Sequence, residues 1–269
     1  MSRVSREHLG WIVRESGPES SDHAVLLLPG ALASATFYDD LLAESAIVNA
    51  SIRFVATTLP GFGGTPAPQD VSVEEYARSA AALATNLGCD AVVGHSLGAN
   101  VALEMVAAGE FSGPVVLLSP SFSRQDESKF PRALDRLARV FGHFPYALML
   151  KMIGPAFKSS LPPRRRDALI ADLRNNDARF LRRQTRRYLE YLDQHGSLAP
   201  RLCNSGVAAW VVFGDSDDIG LTDSERSVLE ECSAVALVTI AGTGHFTLNH
   251  TPEQVAEVLL DALASTSPG

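Results

Sequence analysis

The sequence lacks the features that mark secreted, membrane-spanning and metal-binding proteins. Its three cysteines, Cys89, Cys203 and Cys232, are an odd number at spacings that match no metal knuckle. The opening residues contain no apolar run of the kind found in a secretory signal. The least polar segment, 144–157, is interrupted by Lys151 and is too short to span a bilayer. These absences predict free thiols in a reducing, cytoplasmic setting, with no metal and no membrane partner.

Signals for nucleotide and nucleic-acid binding are also missing. The glycine-rich stretch GFGGT (61–65) has neither the spacing nor the lysine of a phosphate-binding loop. Arginines are numerous in 164–193, but no aromatic-basic module accompanies them, so no nucleic-acid partner is expected. The sequence therefore predicts no cofactor, and it gives no indication of the oligomeric state.

Charge is unevenly distributed along the 269 residues. The net charge is −8, but residues 124–201 hold 17 Lys and Arg against 8 Asp and Glu, or +9, and the remainder carries −17. A middle section so unlike its flanks indicates an insertion with a surface of its own. A chain of this length accommodates one large domain with such an insertion. We therefore expect a core formed by 1–119 and 205–269, with 120–204 inserted into it.

What the chain does contain is a regular alternation of short apolar runs and longer helical segments. The runs are almost continuously apolar, as expected for strands of a parallel sheet covered on both faces. The candidate strands are 24–28, 52–57, 90–94, 114–118, 207–214 and 234–240. The candidate helices are 36–48, 72–87, 97–109, 222–232 and 252–264. This alternation predicts an α/β fold whose functional groups gather at the carboxyl ends of the strands.

The stretch VVGHSLGANVAL (92–103) places a serine between two glycines where a strand turns into a helix. A tight turn of this kind lifts the oxygen of Ser96 off the sheet, and Gly94 and Gly98 avoid the collisions that side chains would cause. The turn also leaves the N–H of Leu97 at a helix N-terminus, where it can stabilise an oxyanion. The pattern predicts Ser96 as a nucleophile.

A serine nucleophile needs a second oxyanion donor and a base. The loop after the strand at 24–28 offers the backbone N–H of Ala31 as that donor. The base is expected late in the chain, on a loop after a strand, and the stretch GTGHF presents His245 beside flanking glycines. Among the seven histidines, His250 is the only close rival.

The acid that orients the base is expected after a strand between the nucleophile and the histidine. GDSDDI (214–219) follows such a strand and offers Asp215, Asp217 and Asp218. No carboxylate stands within the first few residues after the strand at 114–118, where the alternative acid position lies. Aspartates also cap turns and helices, and two of the three are expected to do only that.

Five motifs in order, LLLPGALAS, TTLPGFGGTPAP, GHSLGANVAL, VVFGDSDD and GTGHFTLNHTPEQ, make the chain similar to the serine-nucleophile α/β-hydrolases, most of all to their capped, esterase-like members. The resemblance covers nearly the whole chain outside the middle section. It implies the α/β-hydrolase fold, with a mostly parallel sheet flanked by helices and 120–204 as a helical cap. The family's G-x-x-D pattern falls on Gly214 and Asp217, which makes Asp217 the expected acid and Asp218 the reserve. Epoxide hydrolases and haloalkane dehalogenases of this fold carry Asp in place of the serine at the strand-to-helix turn, which is called the nucleophile elbow. The resemblance therefore argues against both.

The chain departs from the family pattern at three places. Pro29 stands where the family often has a histidine before the oxyanion loop, and this puts the support of that loop in question. His250 stands five residues after His245, where the family often has a glutamate, and its role is open. Leu221 stands where the acid loop often has a proline.

The resemblance implies a mechanism in which Ser96 attacks a carbonyl carbon, His245 accepts and returns the proton, and Asp217 holds the imidazole. The predicted function is hydrolysis of a small-molecule carboxylic ester, lactone or thioester. C–C bond hydrolysis and acyl transfer use the same machinery, and a ligand-binding receptor with little turnover is the alternative outside catalysis.

Two segments of the expected cap bear on the substrate. Residues 137–157 are rich in Phe, Met and Leu, so they line a pocket for an apolar acyl or aromatic group, pack the cap on the core, or do both. The arginines of 164–193 form a solvated face, dock on the acidic core, or attract anionic substrates.

Overall fold

The six apolar runs form the parallel part of one mixed sheet. The structure is a computed structural model that describes residues 5–157 and 161–266. Its strands are β1 (Ser5–His8), β2 (Trp11–Ser16), β3 (His23–Leu28), β4 (Ile52–Thr58), β5 (Ala91–His95), β6 (Val115–Leu118), β7 (Ala209–Gly214) and β8 (Val235–Ile240). Over these described residues the order across the sheet is β1-β2-β4-β3-β5-β6-β7-β8. β3 to β8 run parallel and β1 and β2 pair antiparallel, so the predicted α/β fold is confirmed.

The first two strands, which the sequence analysis missed, add a hairpin to one edge of the sheet. Trp11 and Val13 are fully buried and alternate with half-buried residues, which is the period of a strand. The connecting turn consists of Leu9 and Gly10, and both have positive φ, 51° and 81°. Two such residues suit the twist of a two-residue hairpin.

Helices connect the strands and cover both faces of the sheet. They are α1 (Ser45–Asn49), α2 (Val73–Asn86), α3 (Leu97–Ala107), α4 (Lys129–Phe141), α5 (Phe144–Phe157), α6 (Arg166–Arg174), α7 (Ala178–His195), α8 (Ala199–Ser205), α9 (Asp223–Glu230), α10 (Thr247–His250) and α11 (Pro252–Thr266). Leu26 and Leu28 pack into the hydrophobic cluster that contains α2 and α3, whereas Val25 and Leu27 pack into the cluster that contains α11. This double coverage explains why the strands are continuously apolar.

Four of the five predicted helices lie close to their predicted bounds, as α2, α3, α9 and α11. The Ser72 side chain caps α2 by accepting a hydrogen bond from the Glu75 N–H (3.3 Å). α11 begins at Pro252, where proline's fixed φ suits the first helical turn. Both helix starts agree with the sequence signals.

The predicted helix at 36–48 is wrong in part, because only α1 is α-helical there. Two short 3₁₀ turns, 35–38 and 41–43, precede α1. The hydroxyl of Tyr38 donates to the carbonyl of Leu28 at 2.7 Å, so the turn is anchored to the end of β3. A contact between separate elements of this kind is not visible in a local pattern.

The segment between β6 and β7 is helical and packs directly on the rest of the protein. Leu189 and Leu192 of α7 belong to the same hydrophobic cluster as α3. The hydroxyl of Tyr191 donates to Glu104 of α3 (2.8 Å), and the Arg201 guanidinium pairs with the same carboxylate (2.8 Å). These contacts fix α7 and α8 on α3.

Two further expectations concern cysteines and membrane spans. All three cysteines are free, with Cys89 buried and Cys203 and Cys232 half-buried. In the part of the chain that the structure describes, no helix has the length and hydrophobicity needed to cross a bilayer.

The strand order reverses at β3, which has β4 on one side and β5 on the other. A reversal of this kind opens a crevice beyond the carboxyl ends of the two diverging strands. The loop that starts at Pro29 follows β3, and the turn at Ser96 follows β5. The topology therefore brings two of the predicted functional segments together.

Candidate active site

Ser96 lies on a strained turn between β5 and α3. Its backbone angles are φ 51° and ψ −118°, a conformation that costs a non-glycine residue of the order of 1–3 kcal/mol. A Cβ atom at Gly94 would lie 2.2 Å from the Gly98 carbonyl oxygen, and one at Gly98 would lie 2.2 Å from the Leu28 carbonyl oxygen. Gly94 is therefore required for the tightness of the turn itself, and Gly98 for its close approach to the end of β3.

His245 and Asp217 form a hydrogen-bonded pair on the loops after β8 and β7. The Nδ1 atom of His245 lies 3.2 Å from Asp217 Oδ1, and the Asp217 side chain is 1% exposed. Burial alone would raise the pKa of Asp217, but the hydrogen bond and charge of His245 bring it below its usual value. Burial alone would lower the pKa of His245, but the hydrogen bond and charge of Asp217 raise it above its usual value. Each side chain therefore stabilises the charged form of the other.

Ser119 holds the second oxygen of Asp217. Its hydroxyl donates to Asp217 Oδ2 at 2.5 Å, and the Ile219 N–H donates to Oδ1 at 3.0 Å. Ser119 directly follows β6, the strand next to β7, and has a φ of 53°. Ser119 is not recognisable from the sequence as a partner of Asp217, because the register of β6 against β7 is what brings the two residues together. The only sequence signal was a polar residue directly after an apolar strand.

His95, inside the elbow, is a second residue whose placement the sequence did not reveal. Burial, followed by the nearby positive charge of His245, lowers the pKa of His95 to about 3, so its ring is neutral. Its Nε2 lies 2.9 Å from the carbonyl oxygen of His245 and donates to it, since a carbonyl only accepts. The rings of His95 and Phe37 stack with centroids 4.7 Å apart. His95 thus ties the His245 loop to the elbow.

The other candidates for acid and base lie in different surroundings. The Asp215 carboxylate accepts the Gly242 N–H (2.9 Å) and so caps the turn after β8. Asp218 is exposed and lies on the cavity wall. His250 is exposed at the end of α10 and lines the same cavity. Among these described residues, the structure pairs Asp217 with His245.

Ser96 and His245 line one cavity of about 600 Å³. The structure shows no hydrogen bond between these two described residues. The hydrogen bonds of His245 at this site are those to Asp217 and to His95. Catalytic hydrogen bonds are often long without substrate and shorten when it binds. His95 directly precedes Ser96, and its ring centroid lies 4.9 Å from that of His245. This contact brings the Ser96 turn close to the His245 loop.

The two expected oxyanion donors lie on either side of the crevice. Ala31 lines the cavity, and Leu97 is the first residue of α3, where helix N–H groups have no partner within the helix. A Cβ atom at Gly30 would lie 3.2 Å from Ser96 Cβ and 2.8 Å from His95 Nδ1. Leu32 has a φ of 71°, so this loop is also strained.

The cavity wall is mostly apolar. Side chains from α4, α5, α6 and α7 contribute Phe130, Leu134, Met149, Leu169, Leu173 and Leu181. Among the described residues that line the cavity, the carboxylates are those of Glu127, Asp172 and Asp218, and none is a lysine or arginine. The buried Glu127 carboxylate accepts from the Tyr188 hydroxyl at 2.9 Å. This lining suits an apolar ligand and opposes an anionic one.

Asp217, Asp218 and His245 each offer one possible metal-ligand atom, and these atoms lie within 4.8 Å of one another. The Nδ1 of His245 already pairs with Asp217, and that hydrogen bond would have to break before the nitrogen bound a metal. The cluster is therefore organised as a hydrogen-bonded pair with an exposed neighbour.

The chain belongs to the alpha/beta hydrolase family, whose family model matches residues 25–258, and it is a hydrolase on that ground. No curated protein sequence matches it significantly. Among solved structures it is similar to the esterase EaEST from Exiguobacterium antarcticum, with 16% identity over 94% of this chain and 95% of that one and a TM-score of 0.72. It is also similar to a mutant of the N-acyl homoserine lactonase AidH in complex with N-hexanoyl homoserine, with 18% identity over 100% of this chain and 98% of that one and a TM-score of 0.72. The epoxide hydrolase CorEH has 18% identity over 99% of this chain and 100% of its own and a TM-score of 0.73. Structural similarity at this level of identity shows the fold alone.

Proposed function

We propose that the protein is a serine hydrolase that cleaves a small-molecule carboxylic ester, lactone or thioester through an acyl-enzyme on Ser96. The observation that carries the proposal is the pairing of His245 with the buried Asp217 beside the strained Ser96 turn, at one cavity. A carboxylate that raises the pKa of an imidazole is the arrangement a general base requires.

In the proposed mechanism His245 removes the proton of the Ser96 hydroxyl as the oxygen attacks the carbonyl carbon. Asp217 keeps the Nδ1 proton in place and stabilises the imidazolium that forms. The N–H groups of Ala31 and Leu97 bind the oxyanion, and His245 then protonates the leaving group. Water, activated by the same imidazole, attacks the acyl-enzyme and releases the acid.

The cavity supports a substrate with an apolar acyl or aromatic part. Its volume of about 600 Å³ falls in the usual range for small-molecule sites. Helices α4 to α7 supply most of its apolar wall, so we propose that 120–204 act as a cap over a core made of 1–119 and 205–269. Two of the proteins with similar structures are an esterase and a lactonase, which agrees with this proposal.

A fluorophosphonate probe tests the proposal directly, because it reacts covalently with an activated serine. We expect one label on the wild-type protein, located on Ser96 by mass spectrometry and lost in Ser96→Ala. The matched control is Ser128→Ala, since Ser128 lines the same cavity and should leave labelling intact. A folded protein that takes no label would contradict the proposal and favour a ligand-binding receptor.

A further inference from the structure

Exposed apolar side chains are concentrated on two helices. Nine large apolar residues in the described chain are at least half exposed, and seven of them lie on α4 and α5. The seven, which we call the α4–α5 face, are Phe130, Leu137, Val140, Phe141, Phe144, Leu148 and Met152. On α5 they recur every four residues, so they form a stripe along one side of the helix. α4 and α5 pack against each other, and exposed apolar side chains concentrated on one packed pair of helices are typical of an interaction site.

The α4–α5 face is accompanied by positive charge. Lys129, Arg136, Arg139 and Lys151 lie on the same two helices and are exposed. The only acidic residue of α4 and α5 is Asp135, which is buried and paired with Arg139 at 3.1 Å. An exposed apolar stripe flanked by lysine and arginine is the composition of helices that lie in a membrane interface.

We propose that the α4–α5 face docks the protein on the surface of an anionic phospholipid bilayer. The apolar side chains would enter the boundary between headgroups and acyl chains, and the flanking cations would pair with lipid phosphates. The chain outside 124–201 carries −17 and would be repelled by the same bilayer, so the basic helices are the part that approaches it. This surface contact departs from the sequence-based expectation of no membrane partner, which rested on the lack of a spanning segment. Among the described residues no helix can cross a bilayer, and docking on its surface requires none.

A second copy of the chain fits this face less well. A twofold dimer buries the same patch on both subunits. Two α4–α5 faces in contact would bring the lysines and arginines of both copies together, with no exposed carboxylate on either helix to neutralise them. Charge therefore favours an anionic partner over self-association.

The face is continuous with the mouth of the cavity. Phe130 is 56% exposed and also lines the cavity, while Leu134, Tyr146 and Met149 of the same helices form part of its wall. One side of the α4–α5 pair therefore faces solvent and the other faces the site. An apolar molecule dissolved in the bilayer would reach the cavity along Phe130 without crossing water.

Flotation with lipid vesicles tests the proposal without any need for catalytic activity. We expect the protein to bind vesicles of phosphatidylcholine mixed with phosphatidylglycerol, and to bind pure phosphatidylcholine vesicles more weakly. The triple variant Phe141→Ser, Phe144→Ser, Leu148→Ser should reduce the partition coefficient by about tenfold or more. The triple variant Lys129→Glu, Arg136→Glu, Lys151→Glu should abolish the preference for anionic vesicles.

Controls separate this surface from the active site and from general stickiness. Leu9→Ser with Val48→Ser removes the two exposed apolar residues outside the face and should leave binding unchanged. Phe141, Phe144 and Leu148 do not line the cavity, so the first triple variant should hydrolyse a soluble ester as well as the wild type. Ser96→Ala should bind vesicles normally, which keeps the outcome independent of the proposed chemistry.

Three results would overturn the proposal. One is the absence of vesicle binding, and another is binding that the apolar triple variant does not weaken. The third is a stable dimer in analytical ultracentrifugation that the same variant dissociates, because a second copy would then cover the face. A fourth result, equal binding to neutral and anionic vesicles, would show that the basic residues do not contribute to binding. It would overturn the assignment to an anionic surface.

Discussion

At the scale of single residues, burial and hydrogen bonding give three neighbouring aspartates three different environments. Asp215 caps a turn through the Gly242 N–H, and Asp218 is exposed on the cavity wall. Asp217 is buried and accepts hydrogen bonds from His245, Ser119 and the backbone of Ile219. Only Asp217 is therefore held in a fixed position against an imidazole.

This difference predicts unequal effects of two isosteric substitutions. Asp217→Asn should lower kcat by about 10⁴-fold, because an amide neither stabilises the imidazolium nor keeps the required tautomer. Asp218→Asn, one position along the chain, should change kcat by less than about tenfold, since its side chain is exposed. Steady-state kinetics with an activated ester measures both. The reverse order of effects would assign the acid to Asp218.

The same variant has a second readout in the pH profile. His245 must be neutral to act as a base, and its pKa is raised by the hydrogen bond and charge of Asp217 against the opposing effect of burial. kcat/KM of the wild type should therefore fall, as the pH decreases, through a pKa above the ordinary histidine value. Asp217→Asn removes the charge, so the acid limb of its residual activity should move to lower pH.

Sequence spacing reaches some of these residues and not others. Ser96 and His245 are recognisable because glycines beside each of them permit turns that few other residues allow. Ser119 and His95 are not recognisable in this way. Their contacts with Asp217 and with the His245 carbonyl arise from strand register and loop packing, and nothing local in the sequence encodes either.

At the scale of elements, the N-terminus of α9 carries two buried carboxyl groups. Thr222 and Glu225 form a capping box, and the Thr222 N–H also donates to Asp126, which lies in the loop before α4. Asp126 and Glu225 are both less than a tenth exposed. Burial, and then the hydrogen bond and charge of Glu225, raise the pKa of Asp126 to about 7.

This pair predicts a pH-dependent stability. Because the folded-state pKa of Asp126 lies above its unfolded value of about 4, the free energy of unfolding should decrease as the pH rises from about 4 to about 7. Glu225→Gln keeps an acceptor for the capping box and removes one charge. Above pH about 7 the variant should be more stable than the wild type by about 1 kcal/mol, and the difference should shrink as the pH falls below about 7 and Asp126 becomes protonated.

Urea denaturation across this pH range measures the effect. The control is Glu230→Gln, an exposed position on the same helix, which should change the stability by less than about 0.5 kcal/mol at every pH. A Glu225→Gln variant that is less stable than the wild type above pH about 7 would show that the carboxylates do not repel each other there.

Elements whose signal is local are predictable from this sequence, and elements held by distant contacts are not. The buried parallel strands appear as apolar runs because both of their faces are covered. The segment 36–48 has a helical composition, but the hydrogen bonds of Tyr38 to Leu28 and of the Ala35 N–H to Thr58 divide it into turns. β1 is mostly exposed, and β2 begins with buried residues that alternate with half-buried ones, so neither strand appears as an apolar run.

At the scale of the whole molecule, charges of opposite sign meet between the helical segment and the rest of the protein. Arg165 pairs with Asp39 at 3.2 Å, and Arg201 pairs with Glu104 at 2.8 Å. This supports the docking interpretation for these two arginines. Docked arginines point at the protein, so the net +9 of residues 124–201 overstates the positive charge that an approaching ligand meets.

The described charged groups of the cavity wall are carboxylates, so we expect the cavity to favour neutral substrates over anionic ones. Glu127, Asp172 and Asp218 line it, and no lysine or arginine is found among the lining residues that the structure describes. In a partly desolvated site, a carboxylate-bearing ester should have a kcat/KM about tenfold or more below that of a neutral ester of equal length. Glu127→Gln should reduce the difference in kcat/KM between the neutral and the anionic ester, because it removes the most buried of the three charges while keeping the shape of the side chain.

A comparison of the two esters in both proteins at several salt concentrations tests this prediction. A faster anionic ester whose advantage is lost in salt would instead mean that the arginines steer the substrate, as electrostatic attraction is screened beyond about 10 Å at 0.1 M salt.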